Sequence, residues 1–542
     1  MKIRKRIKNT LAFLEKGQFN LRTWLLSFLA LVSTRLLLES LLLGFPAKSL
    51  ESFLALFIHT FLFFLLTYLI FLFFLISITK EKVKKIASFL LWGFGIIIFP
   101  PVVDRLIFQG ALYKSFYIFD SLSGLWLRFF TFFGKNPDWG ITWGARINIL
   151  ISLIFIGIYI YLKTKNKYKV IGGVIGGYSL FFILSCFPSI VVYFLEFFRI
   201  GKILETSYST VAGYFMTPLS VFNLHGVAIE SFLAKKLALI YLLLIFVLLV
   251  VLLFRLNLGK TLGLIKNIRF PQLVFNLGLL FMGLGLGFFY NPAVFRLDFF
   301  SGLMVLNLIL MVSVTWFFSV LINDLSDLKI DKISNKNRPL VKKVFSSKEY
   351  LDLAGILFLV SFFSASLVSP VVLLVVASYH LLTYVYSCYP FRLKRFPGIS
   401  SGLVSIASLN FLVIGFLVFS ENQTLINFPW RVYGFLFLAY SLITPLKDLK
   451  DLEGDKKDHV YTLPVLVGRE NTRLIVASLL FSLYLGSVYV LNKQELFLGA
   501  LFLGGISFWI VSSPRINERR LNGLVMGLAF LYGLWIVKTI FL

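Results

Sequence analysis

The sequence predicts an all-α, polytopic integral membrane protein with about six helices in its first half and about nine in its second. Three observations carry this. The 542 residues have a mean hydropathy of +0.88 and 58% hydrophobic content. Apolar runs of about 20 residues, the length that spans a bilayer as a helix, recur along the chain. Lys and Arg fall in short clusters between those runs, as cytoplasmic loops of membrane proteins do. The net charge of +28 is therefore read as topology, and nucleic acid is excluded as a partner in favour of membrane lipids. Cys186 and Cys388 lie in or beside apolar runs and give neither a disulfide framework nor metal spacing. The 62 Phe residues are read as lipid-facing packing and take no functional role.

Taken in order, basic Met1–Lys8 and Lys80–Lys85 flank a helical pair, Trp24–Phe45 and Ser52–Ile78, and both clusters are expected on the cytoplasmic side. The first run is too long for a signal h-region and is read as a retained helix. Ile86–Val103, Ile147–Leu162, Val170–Phe198 and Leu237–Phe254 complete about six helices. Two outer segments, Asp104–Arg146 and Arg199–Ala234, are rich in aromatic residues and are expected to meet lipid or a partner at the outer interface. The acids Asp104, Asp120, Asp138, Glu196, Glu205 and Glu230 form no periodic stripe. Residues 1–260 are thus an N-terminal membrane module of undetermined role.

Residues 261–542 form the second domain, with spans expected near 271–290, 300–322, 350–368, 370–388, 400–420, 428–446, 473–491, 495–513 and 521–541. Alternate loops carry the charge, at Lys329–Lys348, Arg392–Arg395, Lys447–Arg473 and Arg515–Arg520, and are expected to face the cytoplasm. Gly283, Gly285 and Gly287 superficially resemble a nucleotide loop, but no strand precedes them, and small residues in an apolar helix permit close packing. His59, His225 and His380 have no partner at metal-ligand spacing and are read as core or interface residues.

Carboxylates gather at two helix ends. In Asn323–Leu340, NDLSDLKIDKISNKNRPL, a continuing helix would put Asp324, Asp327 and Asp331 within about 60° of one another, with Asn323 below Asp327. Asp448, Asp451 and Asp455 of DLKDLEGD repeat the offsets i, i+3 and i+7. Crowded acids raise one another's pKa unless a cation lies between them, and oxygen-only donors favour magnesium. A solvated face, in which the acids pair with Lys329, Lys332, Lys447 and Lys450, is the simpler alternative.

The first stretch resembles the NDxxDxxxD and NRPL signature of the UbiA-type intramembrane prenyltransferases. The second, KDLKDLEGD followed by TLPVLVG at Thr462–Gly468, resembles that family's other acidic motif. Tyr386–Pro397, YSCYPFRLKRFP, is similar to its loop after the fourth helix. The resemblance covers about Lys266 to the C-terminus and implies a UbiA-like bundle of about nine helices. It further implies magnesium-dependent transfer of a prenyl group from a prenyl diphosphate to a lipophilic acceptor, of aromatic or glycerol-phosphate type, and the basic loops put both acidic motifs on the cytoplasmic face.

By this resemblance Asn323, Asp327, Asp451 and Asp455 are metal ligands, with Asp324, Asp331 and Asp448 in support. Asp327, Asp451, Asp455, Lys394 and Tyr386 are the expected catalytic set. Arg338, Arg392, Lys394 and Arg395, with Ser387, are expected to bind the diphosphate, Arg through its planar fork. Tyr389 stands where the family has a proline, and His459 where it has a glycine. Two other functions fit parts of the pattern. One is phosphoribosyl transfer to a prenyl phosphate, although the His-Pro associated with that branch is missing before NRPL. The other is a cation-coupled transporter, which would need acids near the bilayer midplane.

Overall fold

A computed structural model describes residues 2–16, 20–44, 50–107, 121–134, 141–201, 208–217, 229–291, 298–420, 423–458 and 460–541. The protein is all-helical. Fourteen helical segments among the described residues are long and apolar enough to cross a membrane, six before Leu258 and eight from Phe270 onward. The last helix adds a shorter apolar stretch, Gly523–Ile536. The described residues up to Leu249 form one compact unit and those from Val250 onward another.

The first unit contains α1 (Lys2–Glu15), α2 (Leu21–Leu43), α3 (Leu50–Thr79), α4 (Val83–Gly93), α5 (Phe99–Ile107), α6 (Leu122–Phe130), α7 (Trp143–Thr164), α8 (Lys167–Ser185), α9 (Phe187–Ile200), α10 (Tyr208–Phe215) and most of α11 (Ile229–Leu256). Side-chain amides and hydroxyls cap several starts, with Asn20 accepting from Thr23 N and Thr142 from Ala145 N. The indole of Trp24 donates to the Tyr68 hydroxyl at 3.0 Å, which donates to the Ala87 carbonyl at 2.6 Å, so α2, α3 and α4 are pinned together. Val170–Phe198 is not one continuous span. The helix stops at Ser185 and restarts at Phe187, because Pro188 is tolerated only in a first turn, where its missing N–H costs nothing. Much of both outer aromatic segments lies outside the described residues, as do Asp120, Asp138, Glu205, His225 and His459.

The second unit continues with α12 (Leu258–Lys266), α13 (Phe270–Tyr290), α14 (Phe299–Ser326), α15 (Leu328–Ser334), α16 (Ser347–Val368), α17 (Pro370–Ser387), α18 (Ile399–Phe419), α19 (Trp430–Ile443), α20 (Leu452–Lys457), α21 (Leu463–Val467), α22 (Arg469–Leu491), α23 (Phe497–Ser512) and α24 (Glu518–Phe541). Ser346 and Glu349 make a reciprocal capping box on α16, and Ser369 with Pro370 starts α17.

Glycine sets the closest helix pair. A Cβ on Gly283 would strike the Leu412 carbonyl, and one on Gly415 would strike the Leu280 carbonyl, whereas Gly285 faces open space. Two of the three glycines in the α13 run are therefore packing residues against α18. Gly415→Val is expected to cost about 1–3 kcal/mol through overpacking. In thermal unfolding of the solubilised protein it should melt well below wild type, while Gly285→Ala should melt with it. Equal melting of all three would contradict this packing.

Candidate active site

Both acidic motifs break their helices at the same place. Helix α14 ends at Ser326, and Asp327 takes φ −100° and ψ 14° before α15 begins. In the second motif, Asp451 takes φ −100° and ψ 0° between a 3₁₀ turn and α20. The expected continuous stripe is thus bent at its middle carboxylate, which turns the short helices α15 and α20 onto each other. Gly454 permits this approach, since a Cβ there would lie 2.7 Å from Ser334 Oγ and 2.8 Å from Ile330 Cγ2. Asn335 joins the two motifs by donating from one amide nitrogen to Asp331 Oδ1 at 3.0 Å and Asp451 Oδ1 at 2.7 Å.

A cavity of about 170 Å³ opens between these elements. Ten of the expected site residues line it: Asn323, Asp327, Asp331, Arg338, Tyr386, Ser387, Lys394, Asp448, Asp451 and Asp455. The motif side also brings Arg269, Lys447 and Lys450, so five carboxylates face five cationic side chains. Its other walls are apolar and aromatic, with Trp316, Val320, Tyr379, Leu403, Tyr440 and Ile443.

Three expected residues stand elsewhere. Asp324 has a fully buried side chain whose oxygens accept from Arg269 Nη2 at 2.7 Å, Asn267 Nδ2 at 2.7 Å, the Tyr350 hydroxyl at 3.3 Å and Arg338 Nη1. Its donors consume it, and it does not line the cavity. Arg392 is also outside the lining. It donates from Nη2 to Asp458 Oδ2 and from Nη1 to the Tyr389 hydroxyl at 2.7 Å, with Nη2 3.6 Å from Asp327 Oδ1. Arg395 rests on the Tyr389 ring, 4.9 Å from its centroid, and Arg392 stacks on it at 5.1 Å. The tyrosine that departs from the family loop pattern therefore contacts both guanidinium groups, sharing Arg392 with Asp458.

Of the simpler solvated-face pairing, Lys447 and Lys450 do lie among the acids of the second motif, but the face is not a solvated one. Lys329 and Lys332 are exposed, while Asp324, Asp327, Asp331 and Asp455 are buried. Asp327 pairs instead with the Lys394 ammonium, and Lys447 donates to the Tyr386 hydroxyl at 3.1 Å. Burial pushes the Asp331 carboxyl up to about 7, against the hydrogen bond from Asn335 and with added repulsion from Asp327 and Asp451. The Arg338 guanidinium falls to about 9, chiefly through burial and also through the nearby charge of Arg269. Asp331 Oδ2 accepts no hydrogen bond, although Arg338 Nη1 lies 3.2 Å away. The Ser387 hydroxyl likewise has no hydrogen-bond partner.

Among the described residues no three His, Cys, Asp or Glu side chains converge into a closed metal cage. The donors present are carboxylate and amide oxygens held beside a cavity. That set fits a hard cation that keeps waters and shares its shell with phosphate oxygens better than one needing a complete protein cage.

The UbiA prenyltransferase family profile matches residues 297–534. The C-terminal half belongs to the UbiA prenyltransferase family. Curated relatives of this half include digeranylgeranylglyceryl phosphate synthases. That of Methanococcoides burtonii is 31% identical over 189 residues, covering 33% of this chain and 64% of the relative. That of Haloquadratum walsbyi is 30% identical over 151 residues, covering 27% and 50%. A probable homogentisate phytyltransferase 2 of Oryza sativa is 28% identical over 178 residues, covering 31% and 46%. The chain thus spans about half to two-thirds of the length of the first two relatives. A solved UbiA homolog from Archaeoglobus fulgidus, bound to DMAPP and Mg2+, is 20% identical with a TM-score of 0.38, covering 51% of this chain and all of that one.

Sequence reasoning missed Asn267, Arg269 and Asn335. The first two precede α13 and act on Asp324 across more than fifty residues, a distance no local pattern reports. Asn335 had a local signal, four residues after Asp331 and so on the same helix face.

Proposed function

We propose that the UbiA half transfers a prenyl group from a prenyl diphosphate, with magnesium, to a lipophilic acceptor. The observation that carries this is the single cavity with a charged side built from both acidic motifs and an apolar, aromatic body. An anionic head and a hydrocarbon tail call for that division. The names of the relatives, one a synthase of a glyceryl phosphate lipid and another a probable homogentisate phytyltransferase, support an acceptor of glycerol-phosphate or aromatic type.

The chemistry begins with heterolysis of the allylic carbon–oxygen bond, which leaves a diphosphate anion and an allylic cation. Lys394, Arg338, Arg269 and Lys450 point positive charge at the departing oxygens, and preorganised charge in a dry site is worth far more than in water. The lining sets five carboxyl groups against five cationic side chains, so a diphosphate beside the ionised acids would leave the site net negative. Asn323, Asp327, Asp331, Asp448, Asp451 and Asp455 are the candidate ligands for the divalent cation that offsets this. Bound there, magnesium supplies charge neutralisation to the leaving diphosphate. Tyr386, Tyr379 and Tyr440 line the cavity and bring aromatic side chains beside the allylic cation, while the apolar walls exclude water. The acceptor nucleophile then attacks the cationic carbon and releases its proton.

The test is the product. Purified full-length protein, given labelled prenyl diphosphates and a panel of aromatic and glycerol-phosphate acceptors, should form a prenylated lipid and one diphosphate per turnover. A phosphoribosylated prenyl phosphate, or ion flux in vesicles without diphosphate release, would overturn the reading.

We further assign catalysis to residues from α12 onward, acting on the cytoplasmic side. Lys260 pairs with Glu349 at 2.6 Å, and Asn267 and Arg269 hold Asp324, so a functional cut must fall before α12. A chain beginning at Leu258 should still release diphosphate from a prenyl donor. A folded truncation that binds magnesium yet has no turnover would place the first unit within the catalytic machinery.

A further inference from the structure

The first unit encloses a separate cavity of about 250 Å³. Phe63, Phe64, Phe71, Phe89, Phe155 and Phe181 contribute to its walls, and Asp104 and Asn148 face it among them. Asp104 is 3% exposed. One of its oxygens has a structural role, since Oδ1 accepts from Gly144 N at 2.8 Å and so fixes α5 to the first turn of α7. No described residue donates to Oδ2, and no described cation pairs with this carboxylate.

The neighbouring cation is already engaged. Arg35 donates from Nη1 to the Ile97 carbonyl at 2.9 Å, lies 3.8 Å from Glu39 through Nε, and stacks 5.3 Å above the Phe64 ring. Asn148 lies one turn along α7 from Gly144, and its buried Oδ1 has no hydrogen-bond partner. Asp104 Oδ2 and Asn148 Oδ1, two acceptors to which no described residue donates, therefore both belong to residues that line the cavity. Further along α7 the lining passes through Ser152 to Phe155 and Ile156, so the character changes from hydrogen-bond-accepting to apolar within about three turns.

We propose that this cavity binds one amphiphile, whose head donates to Asp104 and, where it has a second donor, to Asn148, and whose hydrocarbon chain lies among the phenylalanines. A buried carboxylate without a partner is costly, and a donor head removes that cost. The chemical class is a lipid with a primary ammonium, whose three N–H groups reach both acceptors, or with a hydroxyl, whose one O–H goes to Asp104 alone. A choline head supplies none. More than half of Phe155 is exposed on the surface of the unit, which gives a chain a route in from the surrounding lipid. This site is independent of the prenyl-transfer reading and is tested without it.

The experiment uses full-length protein in nanodiscs doped with a lipid carrying a photoreactive diazirine in its chain, in three versions: phosphatidylethanolamine, diacylglycerol and phosphatidylcholine. Adducts are mapped by tandem mass spectrometry. The two donor-headed probes should label peptides bearing the cavity phenylalanines about tenfold more than the choline probe, the ratio for one charge-assisted hydrogen bond. Asp104→Asn keeps an acceptor for Gly144 N and distinguishes the heads. Loss of the ethanolamine adduct alone identifies an ammonium, and loss of both identifies general donor recognition. Ser152→Phe fills the cavity and should abolish every adduct there while the protein remains folded by thermal melting. Equal labelling by the choline probe, labelling unchanged in Asp104→Asn, or labelling that survives Ser152→Phe would overturn the proposal.

Discussion

Replacing Asp455 by asparagine is expected to lower the turnover number about a thousandfold, the upper range for losing one preorganised electrostatic contribution, here through the cation this carboxylate would help hold beside the leaving group. Asp455 is the cleanest position for this test. It is buried, it lines the cavity, and the partner that engages its side chain is the Thr462 hydroxyl at 3.5 Å, which an amide oxygen can also accept from. Asn keeps the volume and removes the charge, so helix α20 should persist. Asp327→Asn should lose turnover to a similar degree but with some loss of stability as well, because the buried Lys394 ammonium is left without its carboxylate. Steady-state diphosphate release at saturating magnesium, read beside thermal melting, separates the two effects. Retained turnover in Asp455→Asn would remove this carboxylate from the chemistry.

The second large effect is expected at a residue with no side chain. Gly454→Val places methyl groups where Ser334 Oγ and Ile330 Cγ2 already stand, and the Ile330 carbonyl oxygen is only 3.2 Å from the first added carbon. Helices α15 and α20 must separate by a fraction of an ångström or more. A displacement of about 1 Å between groups that act on one leaving group costs about a hundredfold in rate. The stability cost should be the smaller effect, because α15 and α20 have only seven and six residues. Trimming the opposing surface should recover rate. Gly454→Ala combined with Ser334→Ala is expected to be faster than Gly454→Ala alone. If the double variant is no faster, close approach of the two motifs is not what Gly454 provides.

Much of this was legible because it is periodic. Apolar runs and basic clusters indicated the membrane helices, since a bilayer imposes their length and sidedness. The repeated i, i+3, i+7 acids marked both motifs. The bends at Asp327 and Asp451 were not legible, because neither Gly nor Pro marks the break within DLSDLK or DLKDLE. For the same reason Asp324 was grouped with its neighbours. Its oxygens are taken by Asn267, Arg269, Arg338 and Tyr350, and that competition is settled by packing between distant segments. Arg392 and Arg395 matched a loop pattern, yet Tyr389 packs on both of them and Asp458 pairs with Arg392, neither of which the pattern includes. Pro188 did carry a readable signal, and its position at a helix restart follows from the missing N–H.

The paired-motif account is tested most directly by metal binding in the presence of an unreactive substrate. Mn2+ titrated into the full-length protein with a prenyl thiolodiphosphate, and followed by electron paramagnetic resonance, should bind only when the analogue is present, because the carboxylates alone form no closed cage. Asp327→Asn and Asp455→Asn, one from each motif, should each weaken that binding about tenfold or more. Binding that ignores the analogue and is unchanged in both variants would contradict the claim that the two motifs hold one diphosphate between them.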